Sequence, residues 1–172
     1  MDRDQLVAYL DEYLDAGASE DYCPNGLQVE GRPEVHKLIT AVSSCEELFE
    51  RAHKLEADAI LVHHGLFWNG MSYRLTGMQY RRVRRLIEGG INLIAYHLPL
   101  DRHGEVGNNV LAAQAFGGDA VFAVEMPSRF TADLSRTISR DLIDELGLRS
   151  EVIEIEPLQS AFLDGLRTSF GD

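Results

Sequence analysis

Ile60-Leu61-Val62-His63-His64-Gly65 and Ile91-Asn92-Leu93-Ile94-Ala95-Tyr96-His97-Leu98-Pro99-Leu100-Asp101 decide how this chain reads. Each starts as an apolar, strand-like run and stops in groups able to bind a metal. Ala59 to Val62 is apolar on both faces, the pattern of a strand in the middle of a sheet. Side chains alternate along a strand, so His63 and His64 would point apart if the strand continued. Gly65 predicts that it stops, which frees both rings to reach one cleft. His97 and Asp101 are four apart with Pro99 between them, and a turn brings both to one place. Neutral imidazoles and a carboxylate neutralise and orient a divalent ion, so His63, His64, His97 and Asp101 form a candidate ligand set.

Outward from these two runs, strands alternate with helices. Leu6, Val7, Leu10 and Leu14 recur at helical spacing near the start. Tyr22-Cys23-Pro24-Asn25-Gly26 reads as a loop. Lys37 to Val42 reads as a strand. Ser44 with Glu47 three positions on predicts a capping box opening a helix to about residue 55. A loop from Gly65 to Gly77 leads into a helix from about Met78 to Glu88, stopped by Gly89-Gly90. Ile91 to Tyr96 is a strand, and a loop from His97 to Gly107 follows. A helix over 109–116, with Asn108 as its N-cap, precedes a strand from Val121 to Glu125. Leu134, Ile138, Leu142 and Leu146 mark a further helix closed by Gly147. Val152 to Ile155 reads as a short strand, and 157–172 as a weak helical tail. The pattern predicts an α/β layered sheet with partly parallel pairing, whose ligands bind at the carboxyl ends of strands.

The bulk numbers narrow the function. The 172 residues suffice for one buried core, with 45% hydrophobic and 26% charged residues. The net charge of -12 disfavours general nucleic-acid binding. The acidic start, Met1-Asp2-Arg3-Asp4, lacks the basic and apolar blocks of a signal peptide. No run is long and apolar enough to span a bilayer. Cys23 and Cys45 form no C-x-x-C motif, so two reduced thiols in a cytoplasmic protein are expected. Arg81, Arg82, Arg84 and Arg85 make a basic cluster, read either as a face pairing with acidic neighbours or as a phosphate anchor for a small nucleotide-like substrate. His103 is expected to be solvated, and His36 and His53 are given no role. Cys23 as a nucleophile has no base beside it in sequence.

Four segments together resemble a known family: Asp21 to Gly31 (DYCPNGLQVEG), Val62 to Trp68 (VHHGLFW), Tyr96 to Asp101 (YHLPLD) and Gly107-Asn108-Asn109. Their order and spacing are similar to the Nif-three-like dinuclear metal-centre family, many of whose bacterial members are described as type-two homologues of GTP cyclohydrolase I. The resemblance covers residues 1–125, read as a metal-binding core, and leaves 126–172 as a divergent α/β segment. It implies a toroidal homohexamer with metal pairs facing an internal cavity. It implies that His63, His64 and Asp101 are ligands, with His97 at or next to the metal. The family completes its two-metal site with a His and a Glu four apart near its C-terminus. This sequence has no histidine after His103, so the resemblance implies that the segment carrying those ligands is absent here.

The expectation that follows is a divalent metal ion (Zn, Fe, Mn, Co or Ni), up to two per subunit, in a metal-dependent hydrolase that activates a metal-bound water. The alternative is a non-catalytic, ring-forming assembly module with a degenerate metal site. A third reading is a metal or redox sensor using Cys23 or Cys45.

Overall fold

The computed structural model describes residues 1–18, 20–128, 131 and 133–170. The chain forms two compact units, Met1–His103 and Gly104–Asp172.

The first unit is built on four strands: β1 (Gly26–Val29), β2 (Leu38–Ser43), β3 (Ala59–His64) and β4 (Asn92–Ala95). Their order is β1-β4-β3-β2. β2, β3 and β4 run parallel, and β1 pairs antiparallel with β4. The expected central position of β3 is therefore found. Parallel neighbours need crossover helices, and α2 (Glu46–Lys54) and α3 (Gly77–Gly89) supply them. Both pack on one face. Phe49 and Ala52 of α2 and Val83 and Leu86 of α3 meet Ile60, Val62, Leu93 and Ala95 in one buried cluster. The other face carries Tyr96, whose hydroxyl donates to Asp11 Oδ1 at 2.6 Å and so ties β4 to α1 (Arg3–Tyr13). Asp2 caps α1 by accepting from the backbone N–H groups of Asp4 and Gln5.

Several boundaries differ from the sequence reading, each for a physical reason. β3 runs through His63 and His64 to end at Gly65, because Ser43 pairs with His64 and the Ser44 N–H donates to the His64 carbonyl at 3.0 Å. The expected Ser44–Glu47 capping box does not form. Cys45 is the N-cap instead, its sulfur accepting from Leu48 N–H at 3.4 Å. β1 carries no periodic signal and exists through its pairing with β4. α4 (Leu98–Arg102) replaces the first part of the expected loop, with Pro99 in its first turn, where a missing N–H costs nothing. Gly90 closes α3 at φ 60°, as the double glycine predicts.

The second unit contains α5 (Asn108–Phe116), a short 3-10 turn (Gly118–Ala120), β5 (Phe122–Glu125), α6 (Asp133–Glu145), β6 (Arg149–Val152) and α7 (Glu156–Phe170). Gly107, rather than Asn108, sits at the N-cap of α5. β5 and β6 form a parallel two-stranded sheet. The last strand lies three residues earlier than expected. Its register is fixed by Phe122 opposite Arg149, and all four of its residues are exposed, so no apolar alternation marks it. The side chain of Leu134 and residues 171–172 of the expected tail lie outside the described residues. Among the described residues, no helix is long and apolar enough to cross a membrane.

Candidate metal centre

β3 and β4 are in register from Ala59 opposite Asn92 to Val62 opposite Ala95, and β3 runs two residues further, so His63 and His64 lie beside the residues that follow β4. His63 and His64 close β3, and His97 follows β4 after one residue. The three rings gather at this carboxyl edge, with centroids 4.5 Å apart for His63–His64, 4.9 Å for His63–His97 and 5.7 Å for His64–His97. One ligand nitrogen from each lies within 4.8 Å of the others. Alternation sends His63 and His64 from opposite faces, and both rings fold over the edge that Gly65 leaves open. A Cβ on Gly65 would stand 2.3 Å from the Gln28 amide, so any other residue there would displace the Gln28 side chain.

Each ring is held by Nδ1. His63 Nδ1 lies 3.1 Å from the Tyr96 carbonyl oxygen, His64 Nδ1 2.8 Å from Ser43 Oγ, and His97 Nδ1 3.0 Å from Asp21 Oδ1. A carbonyl and a carboxylate can only accept, so Nδ1 carries the hydrogen on His63 and His97. In the neutral form of these two rings the lone pair is then on Nε2, whereas the Ser43 hydroxyl can donate to or accept from His64 Nδ1. His63 Nε2 lies 3.5 Å from Asp101 Oδ1. A lone pair facing a carboxylate repels it unless a proton or a metal ion lies between. Burial, followed by the charges of His63 and His97, holds His64 below the ordinary histidine value, against the opposing pull of Asp101. The neutral, metal-binding form of that ring is therefore favoured.

Asp101 is brought to the site through His63. It follows His97 by one turn, its N–H donating to the His97 carbonyl at 3.2 Å, which places both on one side of α4. The cluster of mutually close ligand atoms contains the three histidines and does not include Asp101.

The residues that hold these ligands in place were not singled out from the sequence. Asp21 is the largest omission. Its side chain is 2% exposed, and it accepts from His97 Nδ1, the Cys23 and Leu98 backbone N–H groups and the Asn25 amide. Burial raises its pKa, but these donors outweigh burial and bring it to about 2. The Asn25 side-chain oxygen accepts from the His97 N–H at 2.8 Å. Gln28 joins the two loops, accepting from Leu66 N–H at 2.7 Å and donating to the Pro24 carbonyl at 2.8 Å. Asp21, Asn25 and Gln28 fall within the first family-like segment, which was the available signal.

Other candidates fall away from the chemistry. Cys23 is fully buried, and burial pushes its thiol up, so it is no ready nucleophile. His103 is not simply solvated, since its Nε2 lies 2.9 Å from the Tyr13 carbonyl. Arg81, Arg84 and Arg85 pair with Glu46, Glu88 and Glu50 at 2.8–2.9 Å, as the pairing reading expects for these three, whereas the Nε of Arg82 is buried with no hydrogen-bond partner among the described residues.

A sequence profile of the Duf34/NIF3 (NGG1p interacting factor 3) family matches residues 1–156. A Pseudomonas aeruginosa protein named "GTP cyclohydrolase 1 type 2 homolog" is 50% identical over 122 residues, covering 71% of this chain and 47% of its own length. A Vibrio cholerae protein of the same name is 51% identical over 113 residues, covering 66% of this chain and 45% of its own. The solved structure of TTHA1606 from Thermus thermophilus superposes with a TM-score of 0.65 at 50% identity, over 68% of this chain and 48% of that one. The chain thus spans about half the length of the curated relatives it matches. With the profile running through the strands that carry the histidines and on to residue 156, this chain belongs to the Duf34/NIF3 family.

Proposed function

We propose that the chain binds a divalent metal ion through His63, His64 and His97, with Asp101 as a further ligand, and that it serves metal-dependent hydrolysis. The observation that supports this most is the common arrangement of the three rings, each tied at Nδ1 and each offering a ring nitrogen within 4.8 Å of the others. Such outer partners fix the tautomer and orientation of a ligating histidine. The donor set fits zinc, iron, manganese, cobalt or nickel alike. A bound divalent ion would supply Lewis acidity to a substrate oxygen and acidify water. The chain's own residues do the rest: Asp21 orients His97, Ser43 orients His64, and the Tyr96 carbonyl orients His63. A nucleotide-like substrate is the class suggested by the relatives' name, GTP cyclohydrolase 1 type 2 homolog. Residues 1–125 carry this function in the proposal, with 126–172 as a divergent segment, and two unpaired thiols suit a cytoplasmic setting.

Elemental analysis of freshly purified protein tests it. Stoichiometric metal is expected in the wild type and a loss of most of it in His63→Ala. One ion per chain fits the histidine cluster, and two require ligands from a second copy or from outside the four named residues. Metal-free wild-type protein that takes up none on incubation with Zn(II), Mn(II) or Ni(II) would sink the reading.

A second reading, self-association into a ring of six copies, is favoured by a surface feature. Met71, Tyr73, Leu75, Met78 and Tyr80 expose large apolar side chains within ten residues, Tyr73 fully. Patches of this kind mark association surfaces. Light scattering should give a multiple of the 19.2 kDa chain, and the double variant Tyr73→Ser, Met78→Ser should lower it. A monomeric wild type at micromolar concentration rules the reading out.

A further inference from the structure

Tyr22 and Trp68 are aromatic side chains that lie outside the buried core cluster of the first unit. Phe67 packs against the buried core cluster, while Trp68, next to it, does not belong to that cluster and stays partly exposed. Tyr22 is likewise partly exposed, although Cys23 beside it is fully buried. Both stand against the histidines. The Trp68 ring meets His97 at 5.1 Å with an interplanar angle of 78°, and lies 6.1 Å from His64. Tyr22 meets His97 at 5.2 Å, edge to face, and stacks on Trp68 at 6.1 Å with an interplanar angle of 30°, the two rings forming one packed pair. The two loops that carry them are fastened together, Asn69 N–H donating to the Tyr22 carbonyl at 2.8 Å. Trp68 Nε1 donates to the Gly65 carbonyl at 3.2 Å, so the ring is fixed in orientation and its polar end is used. What it offers a ligand is π surface.

We infer that Tyr22 and Trp68 form a stacking wall beside the candidate metal centre, one that selects a ligand bearing a planar heteroaromatic ring. The inference rests on the metal reading above and narrows its substrate class. Rings stack on such surfaces without needing a particular hydrogen-bond pattern. Recognition through phosphate is less favoured by the observations. The carboxylates of Asp21 and Asp101 adjoin the histidines, and Arg81, Arg84 and Arg85 are each engaged by a glutamate. A neutral planar base with a metal-binding oxygen or nitrogen suits these surroundings better than a polyanion does.

Trp68 is the single tryptophan of the chain, so its emission reports on this wall alone. The test titrates Ni(II), guanosine and ribose 5-phosphate in turn, by fluorescence and by calorimetry. Ni(II) alone reads the metal site, with His63→Ala as its control. Guanosine on the Ni(II)-loaded protein is expected to quench Trp68 saturably, and ribose 5-phosphate is expected to leave it unchanged. By calorimetry, Trp68→Leu should weaken guanosine roughly 10- to 100-fold, in the range found for loss of one base–aromatic stack. Trp68→Phe should retain most of the affinity. If circular dichroism shows Trp68→Leu misfolded, Tyr22→Leu takes its place, with a loss of at least about fivefold expected. Ni(II) binding with no guanosine binding, guanosine affinity unaltered in Trp68→Leu, or ribose 5-phosphate binding as tightly as guanosine would each overturn the inference and leave the metal reading standing. Absence of Ni(II) binding, or equal binding by His63→Ala, strikes at the metal reading instead. Guanosine binding that still depends on Trp68 would then keep the wall.

Discussion

Asn92→Leu is expected to destabilise the first unit by about 2–5 kcal/mol, although it replaces a buried polar group by an apolar one of similar size. Asn92 opens β4 and is fully buried. Its side-chain oxygen accepts from Gly31 N–H at 2.8 Å, and its amide nitrogen donates to the carbonyls of Arg32 at 2.8 Å and Asp58 at 3.0 Å. Leucine can make none of these bonds. Water cannot replace them, because the backbones are in contact: a Cβ on Gly31 would lie 2.5 Å from the Gly90 carbonyl oxygen and 2.6 Å from Asn92 N. Stranded backbone groups of this kind cost about 1–3 kcal/mol each, and the Gly31 N–H and Arg32 carbonyl lose their partner outright. Urea unfolding measures the effect as a lower midpoint at unchanged slope. A shift below about 1 kcal/mol would show that the loop refits around leucine.

The same contact matters for the metal centre. Asn92 N–H donates to the Asp58 carbonyl at 2.9 Å, and the Asp58 carboxylate accepts from the backbone N–H groups of His36 and Lys37. β2, β3 and β4 are thus aligned at their amino ends by one buried pair. β3 stays in register with β2 up to Ser43 opposite His64 and with β4 up to Val62 opposite Ala95, so the alignment carries through to His63, His64 and His97 at the other edge. Asn92→Leu should therefore reduce metal binding through the fold, with metal in turn raising the variant's midpoint by mass action.

The legibility of this chain divides along the same line. His63, His64 and His97 could be read because each ends an apolar run, and a run that ends in imidazole is a local signal. α2 and α3 could be read from their periodicity and from the double glycine after α3. Asp21 and Ser43 could not, because their roles are set by partners 76 and 21 positions away. Asn92 was hidden inside a run whose other members are apolar. Ser44 met the rule for a capping residue, but its N–H donates to the His64 carbonyl just past the end of β2, and the cap falls on Cys45. β1 and β6 are short strands created by their neighbours, and no spacing within them announces them. The convergence of His63 and His64 was expected from Gly65, and their ring centroids do stand 4.5 Å apart. Alternation governs their Cβ directions, and the free strand end at Gly65 lets the rings meet beyond it.

Asp21→Asn is expected to weaken metal binding roughly 10- to 100-fold, the usual consequence of removing the partner of a ligating histidine. Four donors converge on this carboxylate: His97 Nδ1, two backbone N–H groups and the Asn25 amide. An asparagine presents one oxygen and one NH2 group, so at least one of these donors would face another donor. The His97 ring then loses the acceptor that fixes its tautomer, and Nε2 is no longer reliably the free nitrogen. Competition with a chelating dye measures the loss, and Ser43→Ala, which touches only His64 among the three rings, should cost less. The variant should also change the response to acid. The folded pKa of Asp21 is about 2, below the ordinary aspartate value of about 3.9. Its contribution to stability is therefore complete above about pH 4 and is lost as pH falls through about 2. Asp21→Asn removes that contribution at neutral pH, so metal-free wild type and variant should converge in stability as pH is lowered from about 4 to about 2. Equal metal affinity in the two proteins, with the convergence still present, would leave Asp21 as a purely structural anchor of its loop and deny it any part in orienting His97.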